Sequence, residues 1–121
     1  MATSRLRSFQ SALSGLASML RGEPNARIHL AAAVGVVLAG YWLEVSRLEW
    51  CWLVAAIAAV FAAEALNTAL ESLADALHPD PHPGVGRAKD AAAGAVLVVA
   101  IAAAMIGLLV LGPHLLARIV A

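Results

Sequence analysis

Residues 50–75 read WCWLVAAIAAVFAAEALNTALESLAD, an apolar run of helical length whose second half carries regularly spaced polar residues. No charge occurs from residue 50 to residue 63. On a helix that advances about 100° per residue, the polar side chains that follow fall within an arc of roughly 100°. We call this face the polar stripe; it consists of Glu64, Asn67, Thr68, Glu71 and Asp75. A helix that crosses lipid must turn such a face towards protein or water.

The composition of the whole chain favours a membrane protein. Of its 121 residues, 62% are hydrophobic and 13% are charged, whereas ordinary soluble domains have about 45–50% and about 25%. A soluble domain of this length has too little interior to hide the excess apolar surface. The net charge of zero gives no general attraction to nucleic acid. The length predicts a single domain over residues 1–121.

Outward from the polar stripe, the chain predicts an all-α fold with three membrane spans and one surface helix. Residues 5–21 repeat apolar side chains every three or four positions but are too polar to span, so we expect an amphipathic helix in the membrane interface. The spans are predicted at about 28–43, 50–77 and 91–112, the last ending at Pro113. The proline-rich segment after residue 77 predicts a loop over 78–90.

Basic residues gather on one side of this predicted topology. They precede the first and third spans, while the turn between spans one and two and the C-terminus carry one each. The positive-inside rule therefore places the N-terminus and the 78–90 loop in the cytoplasm. The residues on that side are Arg5, Arg7, Arg21, Arg27, Arg87 and Lys89.

The polar stripe is graded in depth. If Trp50 marks the outer interface, Glu64 lies about 21 Å inward and Glu71 about 31 Å inward, where the cytoplasmic surface begins. The other spans offer no cation at the depth of Glu64 to neutralise it, and a buried carboxylate of this kind is a candidate general base. The alternative for Asn67 and Thr68 is that they only join helices by hydrogen bonds.

Further polar residues are expected at the level of Glu71. Glu23 lies between the surface helix and the first span, and two carboxylates at one level suit Mg²⁺. Lys89 precedes the third span and could meet phosphate oxygens, although topology-setting charge explains it equally well. His82 is a candidate ligand contact in the loop, whereas His29 is expected near an interface. No glycine-rich phosphate loop is present.

Two motifs resemble the prokaryotic diacylglycerol kinase and undecaprenol kinase family. Residues 64–75, EALNTALESLAD, are similar to its E-x-x-N-[ST]-x-x-E-x-x-x-D signature, and residues 86–95, GRAKDAAAGA, to the start of its third span. The likeness extends from about Ser8 to Pro113. The segments 27–29 and 46–50 look more like the undecaprenol kinase branch.

The resemblance implies a homotrimer in the bacterial inner membrane that transfers the γ-phosphoryl group of Mg-ATP to a lipid hydroxyl of undecaprenol or diacylglycerol. Glu64 would be the catalytic base, and Glu23 and Glu71 would hold Mg²⁺. The implied nucleotide contacts are Ser11, Asn67, Asp75, His82, Lys89 and Asp90. The residues implied to border the lipid, besides Glu64, are Asn25, Arg27 and Trp50.

Two other classes of function remain open from the residues alone. Ionisable groups along one face of a membrane helix are also typical of proton or ion conduction, with Glu64 and Glu71 as a relay. A small interaction subunit could instead use the polar stripe to bind a partner. Phosphoryl transfer to a lipid alcohol in the presence of Mg²⁺ would separate the kinase from both.

Overall fold

The computed structural model describes residues 2–121 as four helices joined by short connections. They are α1 (Ala2–Gly22), α2 (Pro24–Leu43), α3 (Arg47–Leu77) and α4 (Pro83–Val120). Helices α2, α3 and α4 are long and apolar enough to cross a membrane. No strand occurs in the described residues. The predicted all-α architecture of three candidate spans preceded by a further helix is therefore confirmed.

Helix α4 extends beyond the predicted third span at both ends, so the predicted loop over 78–90 is wrong in part. Helix α4 starts at Pro83, so residues 83–90 are helical and the loop shrinks to residues 78–82. Proline is favourable at the first position of a helix, where its missing N–H costs nothing. At the other end, Pro113 does not end the helix, which continues to Val120. Proline removes one hydrogen bond from a helix interior, and tertiary contacts made beyond it can outweigh that loss.

Those contacts lie at what we call the aromatic end of the bundle, formed by the α2–α3 turn and the last turns of α4. His114 Nε2 lies 2.9 and 3.0 Å from the carboxylate oxygens of Glu49. Arg118 donates to the carbonyl oxygen of Trp42 at 2.8 Å, and its guanidinium lies 5.0 Å from the centre of that indole ring. Both partners of α4 therefore come from residues on either side of the α2–α3 turn.

The α2–α3 turn is built from local caps. Glu44 takes the left-handed conformation that commonly ends a helix, with φ 55°. Ser46 and Glu49 then form a capping box at the start of α3: the Glu49 N–H donates to the Ser46 hydroxyl at 3.1 Å, and the Ser46 N–H donates to the Glu49 carboxylate at 2.9 Å. Beneath the turn, Leu43, Val45 and Leu53 pack with Val110 of α4 as a buried cluster.

The opposite end, which we call the polar end, is formed by the α1–α2 corner and the α3–α4 loop. Glu23 has extended backbone angles there and separates α1 from α2. Arg27 reaches back to donate to the carbonyl oxygen of Arg21 at 2.8 Å, which satisfies an orphan acceptor at the end of α1. Met19 and Ala26 are buried at this corner. The corner therefore fixes the angle at which α1 meets the spans.

Large apolar side chains cover much of the outer surface of the spans. Leu97, Leu108 and Leu109 of α4, for example, are each more than half exposed. An apolar surface of this extent is unfavourable in water, and it is the normal exterior of a helix bundle in lipid.

Gly40 of α2 is in close contact with an aromatic ring, which gives a stability prediction. A Cβ atom there would lie 2.7 Å from the Trp50 indole, whose ring is also tilted against Tyr41 at 4.9 Å. We expect Gly40→Ala to destabilise the protein by about 1–3 kcal/mol, because the ring must move. Thermal unfolding in detergent micelles measures the effect.

Gly35 of the same helix is the matched control, because a Cβ atom there meets nothing within 4 Å. Gly35→Ala should be neutral or stabilise by up to about 1 kcal/mol through helix propensity. Equal melting temperatures for the two variants would contradict the predicted clash.

Candidate functional site

The polar stripe lies on the second half of α3, and its burial decreases towards the polar end. Glu64 is 2% exposed, Asn67 and Thr68 are half-buried, and Asp75 is exposed. As the helical period predicted, these residues lie on one face of α3, and their side chains become more exposed from Glu64 to Asp75. A nearly sealed carboxylate stands at one end of the row and a water-accessible one at the other.

Glu64 has a partner that the sequence analysis missed. His29 of α2 places Nε2 at 3.2 Å from Glu64 Oε1, within ion-pair distance. The position of His29 near an interface stays a prediction. The expectation that the other spans offer Glu64 no cation overlooked this histidine, which is a cation when its ring is protonated. The contact forms because His29 lies one and a half turns inside α2, at the depth where the antiparallel α3 presents Glu64.

Three oxygen atoms of the polar stripe are sealed and have no hydrogen-bond partner within the described chain. They are Glu64 Oε1, Asn67 Oδ1 and Thr68 Oγ1. The 3.2 Å contact of His29 with Oε1 is therefore an electrostatic one without hydrogen-bond alignment. A buried polar group left unpaired costs about 1–3 kcal/mol, so a cluster of three indicates that a partner completes the site.

A groove of about 340 Å³ lies between α1 and α3 and reaches one of these three residues, Thr68. Its lining combines small and hydroxyl side chains of α1, Ser11 and Ser18 among them, with Thr68 and Ser72 of α3. Ser11, which was predicted as a nucleotide contact, is thereby brought to the polar stripe. Helix α1, which is predicted to lie in the membrane interface, forms one wall of this groove.

The far end of the polar stripe is linked to the start of α4. Lys89 Nζ donates to Asp75 Oδ1, and the Glu71 carboxylate also attracts that ammonium group. The structure thus brings together three predicted residues from the ends of two helices. Because Asp75 and Lys89 are both accessible, this pair can open towards a charged ligand at low cost.

Glu23 and Glu71 are the two residues predicted to hold Mg²⁺. Glu23 occupies the N-cap position of α2, yet its carboxylate makes no cap hydrogen bond, and Glu71 is half-buried without a hydrogen-bond partner in residues 4–121. The same part of the chain contains no cluster of three or more histidine, cysteine or acidic residues. Two carboxylates would suit Mg²⁺, which keeps water or phosphate oxygens as its remaining ligands, and the shared role of Glu23 and Glu71 stays a prediction.

His82 has a structural role that its sequence position did not reveal. Its Nδ1 accepts from the backbone N–H groups of Gly84 at 3.0 Å and Val85 at 3.4 Å, so it caps α4. In the neutral ring the proton is then on Nε2, which is left to donate to a ligand. His78 stacks edge-on against His82, with ring centres 5.0 Å apart, and its Nδ1 donates to the carbonyl oxygen of Asp80.

The cap gives a prediction that separates the two roles of His82. We expect His82→Ala to destabilise the protein by about 0.5–2 kcal/mol, whereas His82→Asn should keep most of the stability because asparagine caps helices well. Thermal unfolding in micelles measures this. The Michaelis constant for ATP should rise in both variants if Nε2 also contacts the nucleotide. Equal destabilisation by alanine and asparagine would contradict the capping role.

Several predicted site residues do not join the polar stripe. Trp50 lies at the aromatic end of α3, four turns away from Glu64, and packs on Gly40. Arg27 is engaged with the carbonyl oxygens at the end of α1. Asn25 and Asp90 are exposed at the polar end.

An apolar cavity of about 290 Å³ lies between α2, α3 and α4. His29 is the polar member of its lining, which otherwise consists of alanine, valine, leucine, isoleucine, phenylalanine and glycine residues. The partner of the buried Glu64 carboxylate therefore faces a space suited to a hydrocarbon chain. His29 links this cavity to Glu64, and Thr68 links the α1–α3 groove to the polar stripe.

Comparison with known proteins agrees with this arrangement. The prokaryotic diacylglycerol kinase family matches residues 10–111. Undecaprenol kinase of Bacillus subtilis (strain 168) is 41% identical over 109 residues, 90% of this chain and 89% of that protein.

Diacylglycerol kinases are similar over comparable lengths. That of Synechocystis sp. is 37% identical over 114 residues, 93% of this chain and 65% of that protein. That of Escherichia coli (strain K12) is 33% identical over 85 residues, 70% of this chain and 69% of that protein. The chain therefore belongs to the prokaryotic diacylglycerol kinase family, and with it to the ATP-dependent lipid kinases.

Proposed function

We propose that this protein transfers the γ-phosphoryl group of Mg-ATP to the hydroxyl group of a membrane lipid alcohol, undecaprenol or diacylglycerol. The observation that carries the proposal is the buried Glu64 carboxylate, whose neighbour His29 lines an apolar cavity and whose helix face continues to a water-accessible group of charges. A lipid alcohol reaches the site from the bilayer, whereas a nucleotide reaches it from water. The polar stripe extends from the buried side of the site to the water-accessible side. The similarity to undecaprenol kinase supports undecaprenol as the first acceptor to test.

Glu64 is the general base of the proposed reaction. Its carboxylate accepts the proton of the lipid hydroxyl while that oxygen attacks the γ-phosphorus, and the bond to the bridging oxygen breaks with its electron pair leaving on ADP. Asn67 and Thr68, one turn further along α3, lie between the base and the charged end of the stripe. Their neighbouring oxygens hold the hydroxyl and exclude water from the buried site.

The nucleotide is proposed to bind at the polar end. Glu23 and Glu71 would hold Mg²⁺, which supplies positive charge to the phosphate oxygens when bound. Lys89 would exchange its contact with Asp75 for one with a phosphate oxygen. The further proposed nucleotide contacts are Ser11, Asn67, His82 and Asp90.

The lipid is proposed to approach from the side of the spans. The cavity that begins beside His29 accommodates part of its hydrocarbon chain. Asn25 and Arg27, at the start of α2, would border its head group. Trp50, far from Glu64, would contact the chain near the opposite membrane surface.

The proposed assembly is a homotrimer in the bacterial inner membrane, with the N-terminus and the α3–α4 loop in the cytoplasm. Two features support it: the excess of basic residues at the polar end and the unpartnered oxygens of Asn67 and Thr68. A second chain packed on the polar stripe would supply partners that residues 4–121 of one chain do not.

The test is transfer of label from [γ-³²P]ATP to lipid by the purified protein in mixed micelles, with undecaprenol and diacylglycerol in separate reactions. We expect labelled lipid phosphate that depends on Mg²⁺. Label in neither lipid would overturn the proposal. Acidification of protein-containing vesicles under a potassium gradient, without lipid phosphorylation, would instead indicate a proton-conducting protein.

A further inference from the structure

His29 and Glu64 form a close pair between two adjacent spans. His29 Nε2 lies 3.2 Å from Glu64 Oε1, and the two side chains are 24% and 3% exposed. No lysine or arginine of residues 4–121 lies within 4.0 Å of the Glu64 carboxylate. An isolated ionised carboxylate is unfavourable at such a depth, so the nearest donor governs its behaviour.

The two carboxylate oxygens of Glu64 have different neighbours and can therefore have different roles. Oε1 faces the imidazole ring, which leaves Oε2 to meet an incoming hydroxyl group. The pair lacks hydrogen-bond alignment in the ligand-free protein. Contacts of catalytic groups are often long or misaligned without substrate and tighten when it binds.

We propose that His29 is a positioning residue for Glu64, donating Nε2–H to Oε1 so that the carboxylate stays ionised and Oε2 points at the acceptor hydroxyl. This inference rests on the proposed function and adds a residue to its site. The hydroxyl proton passes to Oε2, the new oxygen–phosphorus bond forms, and ADP leaves with the electron pair of the broken bond. His29 keeps its proton throughout, and Glu64 later returns the transferred proton to water.

The position of His29 in the cavity wall explains how the pair senses the acceptor. The ring lines the apolar cavity together with Ala32, Ala33 and Val36, which follow it on the same face of α2. A hydrocarbon chain in that cavity excludes water from the ring. An N–H to carboxylate contact strengthens when water is excluded, so lipid binding and alignment of the base reinforce each other.

Two nearly isosteric variants test which ring nitrogen matters. The side-chain nitrogen of glutamine can occupy the place of Nε2, whereas that of asparagine corresponds to Nδ1 and falls short of Glu64. We expect His29→Asn to lower kcat for lipid phosphorylation by about 10–100-fold, the loss of one charge-assisted hydrogen bond. The Michaelis constant for ATP should change less than about twofold, because the nucleotide binds elsewhere. His29→Gln should be about tenfold more active than His29→Asn.

A second measurement keeps the inference falsifiable if His29→Asn is poorly folded. In a Glu64→Gln background, His29→Asn should cause no further loss, because two residues that act through one step are not additive. Equal kcat values for His29→Gln and His29→Asn, or a further tenfold loss in the Glu64→Gln background, would overturn the positioning role. Failure of the unaltered protein to phosphorylate any lipid would instead overturn the proposed function itself.

Discussion

Replacing Glu64 by glutamine should reduce lipid phosphorylation by about 10²–10⁴-fold, the range that a general base contributes to proton transfer. The substitution keeps the shape of the side chain and removes its ability to accept a proton. The measurement is kcat with saturating ATP and saturating lipid alcohol in mixed micelles. Because Glu64 is 2% exposed, the same change removes a buried charge, so the melting temperature of the variant should stay the same or rise.

The combination of lost activity and retained stability is what distinguishes a catalytic carboxylate from a structural one. Glu44 provides the matched control, because it is an exposed glutamate at the aromatic end, 4.0 Å from Arg118. Glu44→Gln should change kcat by less than about twofold, as expected for a weak surface ion pair. A Glu64→Gln variant that keeps normal turnover would show that another group accepts the proton.

The arrangement of the spans could be predicted from the sequence because one physical property dominates it. An apolar run long enough to cross a membrane must satisfy its backbone hydrogen bonds internally, which favours a spanning helix. The three predicted spans all lie within observed helices. The ends of α4 were harder to predict, since they depend on particular side chains. His82 caps one end, and contacts of His114 and Arg118 hold the other beyond Pro113.

The polar stripe was predictable because helical period fixes which residues of α3 share a face. The pairing of Glu64 with His29 could not be predicted in the same way, because His29 lies 35 positions earlier in the chain, on another helix. Helical period relates only residues of the same helix. One signal was present: Ala32, Ala33 and Val36 follow His29 at helical spacing. This face of α2 is apolar and turns towards the other spans, so a polar residue on it meets a neighbouring helix.

The hydrogen-bond partners of Asn67 and Thr68 could not be predicted from the sequence of one chain, and the reason is physical. Asn67 Oδ1 and Thr68 Oγ1 are sealed without a partner, although the sequence allowed them to join helices by hydrogen bonds. Within residues 4–121 they join none. Their proposed partners are substrate, water or another copy of the chain, and the helical period of one sequence does not identify these.

Replacing Glu71 by glutamine should have the second-largest effect, and it should appear as a changed requirement for Mg²⁺. Magnesium binds carboxylate oxygen far better than a neutral amide, so the half-saturating Mg²⁺ concentration should rise about tenfold or more. Turnover at ordinary Mg²⁺ concentration should fall by about 10–100-fold. Titrating Mg²⁺ at fixed MgATP measures both, and high Mg²⁺ should restore part of the lost rate.

Glu49→Gln is the matched control for Glu71→Gln, because it also removes one negative charge from α3 but lies far from the proposed metal site. It lies on α3 at the aromatic end, where it pairs with His114 and caps the helix. Glu49→Gln should therefore lower the melting temperature without changing the half-saturating Mg²⁺ concentration. Glu23→Gln should reproduce the effect of Glu71→Gln. The double variant should lose less activity than the product of the single losses, because both carboxylates are proposed to hold one ion. Independent losses at Glu23 and Glu71 would contradict a shared metal site.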